Sequence, residues 1–342
     1  GLQAFDVLID RARANGTPTG QRHLGFAKAC QQGAERQDRR THGFHQLVRC
    51  LGVVQRTRIQ CDRSAGGMFG LHTHVADELE HGGHVLQLRH VVQRHGLRGE
   101  QGDPAELPQK DKPDGNLTAC HMLYTSTRRE PSGAGWRTDY PWGERHLLMR
   151  SAELTKMHIS RSPTSVPHSW LVRLTDPAPF ECPFVMASDV GTIGLQPDEA
   201  QHLREYLEKG GFLWVDDFWG DYAWANWEQQ LRKALPADQF RITEVPLEHA
   251  LFHTVLPVKR LPQIPSINFW VGSGGRTSER GPRSATPHAR AVADPAGRMI
   301  VLMTFNTDFG DAFEREGDNR EYFERFSVDG YAFGINTLVY AM

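Results

Sequence analysis

The stretch GGFLWVDDFWGDYAW, residues 210–224, decides how the chain reads. Phe212 to Val215 form an unbroken apolar run, of the kind buried on both faces in a parallel sheet. Two adjacent carboxylates, Asp216 and Asp217, end the run, and Trp214, Trp219 and Trp224 surround them. Just upstream, QPDEAQHLREYLEKGG (196–211) carries the punctuation of a helix. Pro197 stands in its first turn, Asp198 and Glu199 at its positive end, and Gly210 where it must stop. Helical spacing predicts a buried face of Ala200, Leu203, Tyr206 and Leu207. Downstream, YAWANWEQQLRKAL (222–235) reads as a further helix.

Working outward, HMLYTSTR (121–128), SWLVRLTDP (169–177) and PFVMASDV (183–190) read as strands. The stretch WRTDYPWGERHLLMRSAELTKM (136–157) reads as a loop feeding an amphipathic helix. HARAVADPAGRMIVLMTFN (288–306) predicts a hairpin turning at Asp294–Gly297. DGYAFGINTLVYAM (329–342) predicts a last apolar helix packed back on the sheet. Strands alternating with helices argue for an open, mostly parallel α/β sheet with right-handed crossovers, covering 118–342 as one domain.

Composition divides the chain near residue 115. All eight Trp, all seven Tyr and thirteen of the seventeen Phe follow that point, whereas nine of the seventeen His precede it. Aromatic and branched side chains supply most core burial, so residues 1–115 lack the means for a large core. That segment is expected to be poorly ordered, or a mis-assigned N-terminal extension of the kind an unused frame of GC-rich DNA encodes. Within it, GGMFGLHTHVADELEHGGH (66–84) is similar to the first metal-binding motif of the cupin barrels, through His72, His74, Glu78, His81 and His84. The closing Gly of that motif is replaced by Val85, and no second motif follows.

Thirty-nine Lys and Arg against 41 Asp and Glu give a net charge of −2, so no global field favours nucleic acid. No run reaches the roughly 18–20 apolar residues of a membrane span, and the first thirty residues lack a signal-peptide pattern. The five cysteines, Cys30, Cys50, Cys61, Cys120 and Cys182, are widely spaced without a CxxC pair. That argues against a disulfide framework or a structural zinc site.

Ligands of open α/β sheets bind beyond the carboxyl ends of the strands. The candidate site residues therefore sit at strand ends: Arg173 and Asp176 after SWLV, Asp189 after PFVMAS, Asp216, Asp217 and Trp219 after FLWV, and Asn306, Asp308, Asp311 and Glu314 after MIVLMTF. Brought together, they predict an acidic pocket lined by Trp214, Trp219 and Trp224. Carboxylates with an Asn amide suit a hard divalent cation such as Mg²⁺ or Ca²⁺. Carboxylates beside indole faces suit a sugar or a cationic group. The competing reading makes the twin Asp a helix N-cap and NTDFGDAFERE (306–316) a solvated loop.

TDYP (138–141), RLTDP (173–177), PFVM (183–186), LQPDEAQHLREYLEKGGFLWVDDFWG (195–220), VPLEHALFH (245–253), QIPSI (263–267), NTDFGDAFERE and INTLVYAM together resemble the bacterial domain of unknown function 4159 family over about 120–342. The resemblance implies a divergent class I glutamine amidotransferase-like fold, a flavodoxin-like sandwich with helices on both faces of the sheet. Catalytic members of that fold carry a nucleophilic Cys on a sharp Gly-x-Cys-x-Gly turn. The matching stretch here is Val215-Asp216-Asp217-Phe218, without a Cys, which removes thiolate acyl transfer.

Two functions follow as expectations. The first is a non-catalytic module binding a small molecule, glycan or protein at the acidic edge. The alternative is a carboxylate- or metal-dependent hydrolase, with His249 and His253 as candidate bases. A divalent cation is the candidate cofactor and no other is evident. The family resemblance allows export, and the oligomeric state stays open.

Overall fold

The computed structural model describes residues 97–108 and 115–342. The cupin-like motif and the rest of residues 1–96 lie outside the described residues. Seven strands form one sheet in the order β2-β1-β3-β4-β7-β6-β5. They are β1 (Ala119–Leu123), β2 (Ser169–Arg173), β3 (Phe184–Ser188), β4 (Phe212–Asp216), β5 (Ile242–Glu244), β6 (His288–Ala293) and β7 (Met299–Phe305). The first five in spatial order run parallel, whereas β6 pairs antiparallel with both β7 and β5. The expected hairpin is therefore the β6–β7 pair. β5 is a short, largely exposed edge strand that the sequence pattern did not mark.

Residue Phe212 to Asp216 is buried throughout, as the run of apolar side chains required. Alternation along the strand sends Leu213 and Val215 to one face, and Phe212 and Trp214 to the other. On the first face lie α2 (Pro197–Glu208) and α3 (Gly220–Ala234). α2 buries Ala200, Leu203, Tyr206 and Leu207, the four residues helical spacing selects, and Gln196 with Glu199 closes a capping box at its start. On the second face lie α1 (Trp142–Thr155), α4 (Ile267–Gly272), α5 (Phe309–Glu314) and α6 (Val328–Ala341). There the indole of Trp214 sits among Phe184, Phe309, Phe313 and Phe333. Fully burying an aromatic of this kind contributes about 1.5–3 kcal/mol, so β4 is the hydrophobic spine of the domain.

One expectation needs correction. Cys120 on β1 and Cys182 just before β3 form a disulfide, both buried in the core of the first face. Their separation of 62 residues hid the pairing, which depends on β1 and β3 being neighbours in the sheet. Described residues upstream of 118 pack on the same sheet. Leu97, Ala105 and Leu107 pack against Leu123, Tyr140 and Leu171 at the β1–β2 end of the sheet. The backbone of Glu106 extends the pairing there, its carbonyl accepting from Leu171 N at 2.7 Å. Among the described residues, no helix is long and apolar enough to cross a membrane.

Candidate functional site

The twin Asp at the end of β4 take opposite duties. The Asp216 carboxylate is fully buried and accepts the amides of Phe309 (2.6 Å) and Gly310 (2.9 Å) and the hydroxyl of Thr304. It thereby fixes the N-terminus of α5 to the sheet. Burial pushes its pKa up to about 7, against the opposing pull of these donors. At Asp217 the chain turns with φ 52°, in the left-handed region, and the carboxylate emerges half-buried on the floor of a cleft. The indole N–H of Trp219 donates to it at 2.8 Å.

The cleft holds about 220 Å³ beyond the carboxyl ends of the parallel strands, and its lining includes Asp139, Asp189, Asp217, Trp219, Asp308 and Asp311. Four non-glycine residues around this edge share the left-handed region: Asp139 (φ 64°), Asp189 (φ 51°), Asp217 (φ 52°) and Asn306 (φ 60°). Asp and Asn bear that conformation better than other non-glycine residues, but it still stores strain, and such strain gathers at ligand sites. Asn306 uses its side chain to accept from Gly220 N and to donate to Thr286 O, which seats the start of α3. Gly310 sits so near Asp139 that a Cβ there would overlap the carboxylate.

Asp139, Asp217 and Asp308 each offer a carboxylate oxygen, and these oxygens all lie within 4.8 Å of one another. They come from the loop before α1, the turn after β4 and the turn after β7. Ser188 Oγ donates to Asp139, Trp219 to Asp217, and the Asp311 amide to Asp308. No Lys, Arg or His among the described residues forms an ion pair with any of the three. Burial first, and then the charges of the neighbouring carboxylates, hold all three pKa values well above the usual range. A second cluster, Glu100, Asp139 and Glu314, shares Asp139. This one is served by Arg315, whose guanidinium lies 2.8 Å from Glu314, 3.4 Å from Glu100 and 3.5 Å from Asp311. Burial raises Glu314 to about 7 and Asp311 to about 6, with Arg315 opposing the rise at both. Arg280 also lines the cleft but pairs with Glu130 and Glu279, so among the described residues the first cluster has no ion-pair partner of its own.

The family model for a domain of unknown function, DUF4159, matches residues 122–342. The chain belongs to this family. No curated protein matches it.

Within the DUF4159 region the structure gathers Asp189, Asp217, Trp219, Asp308 and Asp311 into the cleft, and places Asp216, Asn306 and Glu314 directly behind or beside it. NTDFGDAFERE is no solvated loop, since Phe309–Glu314 forms the buried helix α5, with Asp308 as its N-cap. Arg173 ends the outer strand β2, Asp176 lies in the turn after it, and neither lines the cleft. Trp214 is core, and Trp224 packs on Phe218, Phe305 and the Arg290 guanidinium (4.0 Å), so Trp219 alone of the three indoles reaches the site. His249 accepts from Leu251 N and packs at a tilt on Tyr340, His253 bonds the Leu247 carbonyl, and neither lines the cleft where a base would stand. Sequence reasoning missed Asp139, Glu100, Glu130 and Glu279, all in the cleft lining. Only Asp139 left a signal, as the acidic member of the DUF4159 stretch TDYP.

Proposed function

We propose that this DUF4159 protein is a ligand-binding module whose cleft seats a divalent cation on Asp139, Asp217 and Asp308. The observation that carries the reading is three mutually close carboxylates, from three chain segments, with no ion pair to a cationic side chain among the described residues. Gathering like charges in a half-buried site is unfavourable unless protons or a metal ion offset them. Oxygen donors of this kind, with open positions left for water or a ligand, match Mg²⁺, Mn²⁺ or Ca²⁺ rather than a soft metal. A small molecule or glycan would complete the coordination from the cleft.

The scaffold is read as flavodoxin-like, of the class I glutamine amidotransferase type. The parallel order β2-β1-β3-β4-β7 supports this, being the 2-1-3-4-5 order of that architecture. The turn after β4, where a nucleophile would stand, carries Asp217 instead, and the domain's two cysteines are joined in a disulfide. That pair of facts removes thiolate acyl transfer and supports a binding role. The disulfide also favours an oxidising compartment as the protein's home. Calorimetric titration with Mn²⁺ and Ca²⁺ tests the reading: saturable binding at one site per chain is expected, lost in Asp308→Asn. Wild-type protein that binds neither ion sinks it.

A second reading, metal-dependent hydrolysis, draws on Asp189, which lines the same cleft and is pushed up to about 7 by burial. A carboxylate poised there suits a general base. Its test is turnover of ester and phosphoester substrates that Asp189→Asn abolishes while leaving Mn²⁺ binding in place.

A further inference from the structure

Residues 97–108 lie upstream of the family-matched span, which begins at 122, yet Glu100 among them lines the cleft. We infer that this segment is a working wall of the site and that Glu100 is the residue that positions Asp139 for the cation. The inference rests on the cation reading above and names what holds that site in shape.

The contacts are specific and converge on one loop. Glu100 Oε2 accepts the Asp139 amide at 3.2 Å, while the Glu100 amide donates to the Tyr140 carbonyl at 3.1 Å. This two-way clasp straddles the residue held at φ 64°. A carboxylate acceptor on an amide is among the stronger hydrogen bonds, and it fixes the peptide whose orientation aims the Asp139 side chain. Arg315 holds the other Glu100 oxygen at 3.4 Å, and Gln101 Nε2 donates to Glu314 at 2.9 Å, so the segment is tied to α5 as well. Farther along, Asp103 accepts the Trp142 indole N–H at 3.0 Å. Glu106 anchors the far end, accepting from Ser169 N at 3.2 Å and pairing with Arg145 and His168. The Glu100, Gln101 and Asp103 anchors lead to the loop before α1, to α5 and to the first turn of α1, whereas Glu106 ties the far end to the start of β2, away from the cleft. Groups that orient metal ligands from behind typically govern affinity by 10–100-fold.

The experiment uses the full chain with Glu100→Ala, the conservative Glu100→Gln, and Arg98→Ala as a control on the exposed side of the segment. Two readouts are taken: Mn²⁺ affinity by water-proton relaxation, and amide hydrogen exchange at Asp139 without metal. Glu100→Ala is expected to weaken Mn²⁺ about tenfold and to speed exchange at Asp139, with its melting temperature in EDTA close to that of wild type. Glu100→Gln, which keeps an acceptor, recovers most of both, and Arg98→Ala changes neither. Unchanged Mn²⁺ affinity in Glu100→Ala, beside a wild type that binds, overturns the positioning role and leaves the cation site standing. If wild type takes up no Mn²⁺, the cation reading falls. The exchange arm then decides whether the segment holds the Asp139 loop: wild-type exchange rates in Glu100→Ala overturn that too.

Discussion

Asp217→Asn is expected to stabilise the metal-free protein while abolishing its response to metal. The three cleft carboxylates lie within 4.8 Å of one another. At an effective dielectric constant of about 20, each fully ionised pair at that distance costs roughly 3.5 kcal/mol. Asn at 217 removes two of the three repulsive pairs. Water in the cleft and partial protonation screen much of this, so a gain of about 2 kcal/mol at pH 8 is the working figure. For a domain of this size that corresponds to a rise in Tm of about 4–8 °C. The substitution is otherwise mild. Asn tolerates the left-handed backbone at 217, and its amide oxygen still accepts the Trp219 indole N–H. The assay is thermal unfolding of both proteins at pH 8, in EDTA and in Mn²⁺ or Ca²⁺. Wild type with metal at about 100 times its Kd should gain roughly 2.7 kcal/mol, and Asp217→Asn should gain nothing. A variant that melts lower than wild type in EDTA would refute the charge-crowding argument. An undiminished response to metal would remove Asp217 from the site.

The neighbouring substitution should go the other way: Asp216→Asn turns an amide donor toward groups that need acceptors, and unfolding in urea should show a loss of about 1–3 kcal/mol. Metal-free wild type is expected to lose stability as pH rises from about 4 to 8. Asp189 and Asp216 hold their protons to about 7 in the fold, whereas in the unfolded chain they lose them near 3.9. The native state therefore binds more protons across that window and stability falls with pH; a flat or rising urea midpoint would contradict the raised values. Reducing Cys120–Cys182, which closes a span of 62 residues, should cost about 4 kcal/mol on chain entropy. Urea midpoints with and without reductant test it, and alkylation of the two cysteines in denatured, unreduced protein would show that the bond is absent.

The element plan was legible because it is written in local patterns. The unbroken run at 212–215 and the punctuation around α2 need only neighbours within a few residues to take effect, so strand, helix and buried face were all correctly placed. The competing reading of the twin Asp as caps was half right, since Asp216 serves a helix start, though that of α5 and not of the helix that follows it. A strand end alone does not tell which of two adjacent side chains faces the next loop.

Local pattern alone carried the α/β class and the burial of β4 on both faces, and it raised the expectation of an acidic edge at the carboxyl ends of the strands. Tertiary structure decided the rest. Strand order set β1 beside β3 and so joined Cys120 to Cys182, and it left Arg173 and Asp176 at the end of an outer strand, away from the cleft. The packing of each element's faces sent Trp214 into the core and turned Trp224 away from the cleft. Folding of the loop before α1 and the segment at 97–108 brought Asp139 and Glu100 to the twin-Asp turn. Carboxylates attract no attention in a sequence when their partners lie far along the chain. Their charge becomes a candidate site only where the fold closes the distance between them.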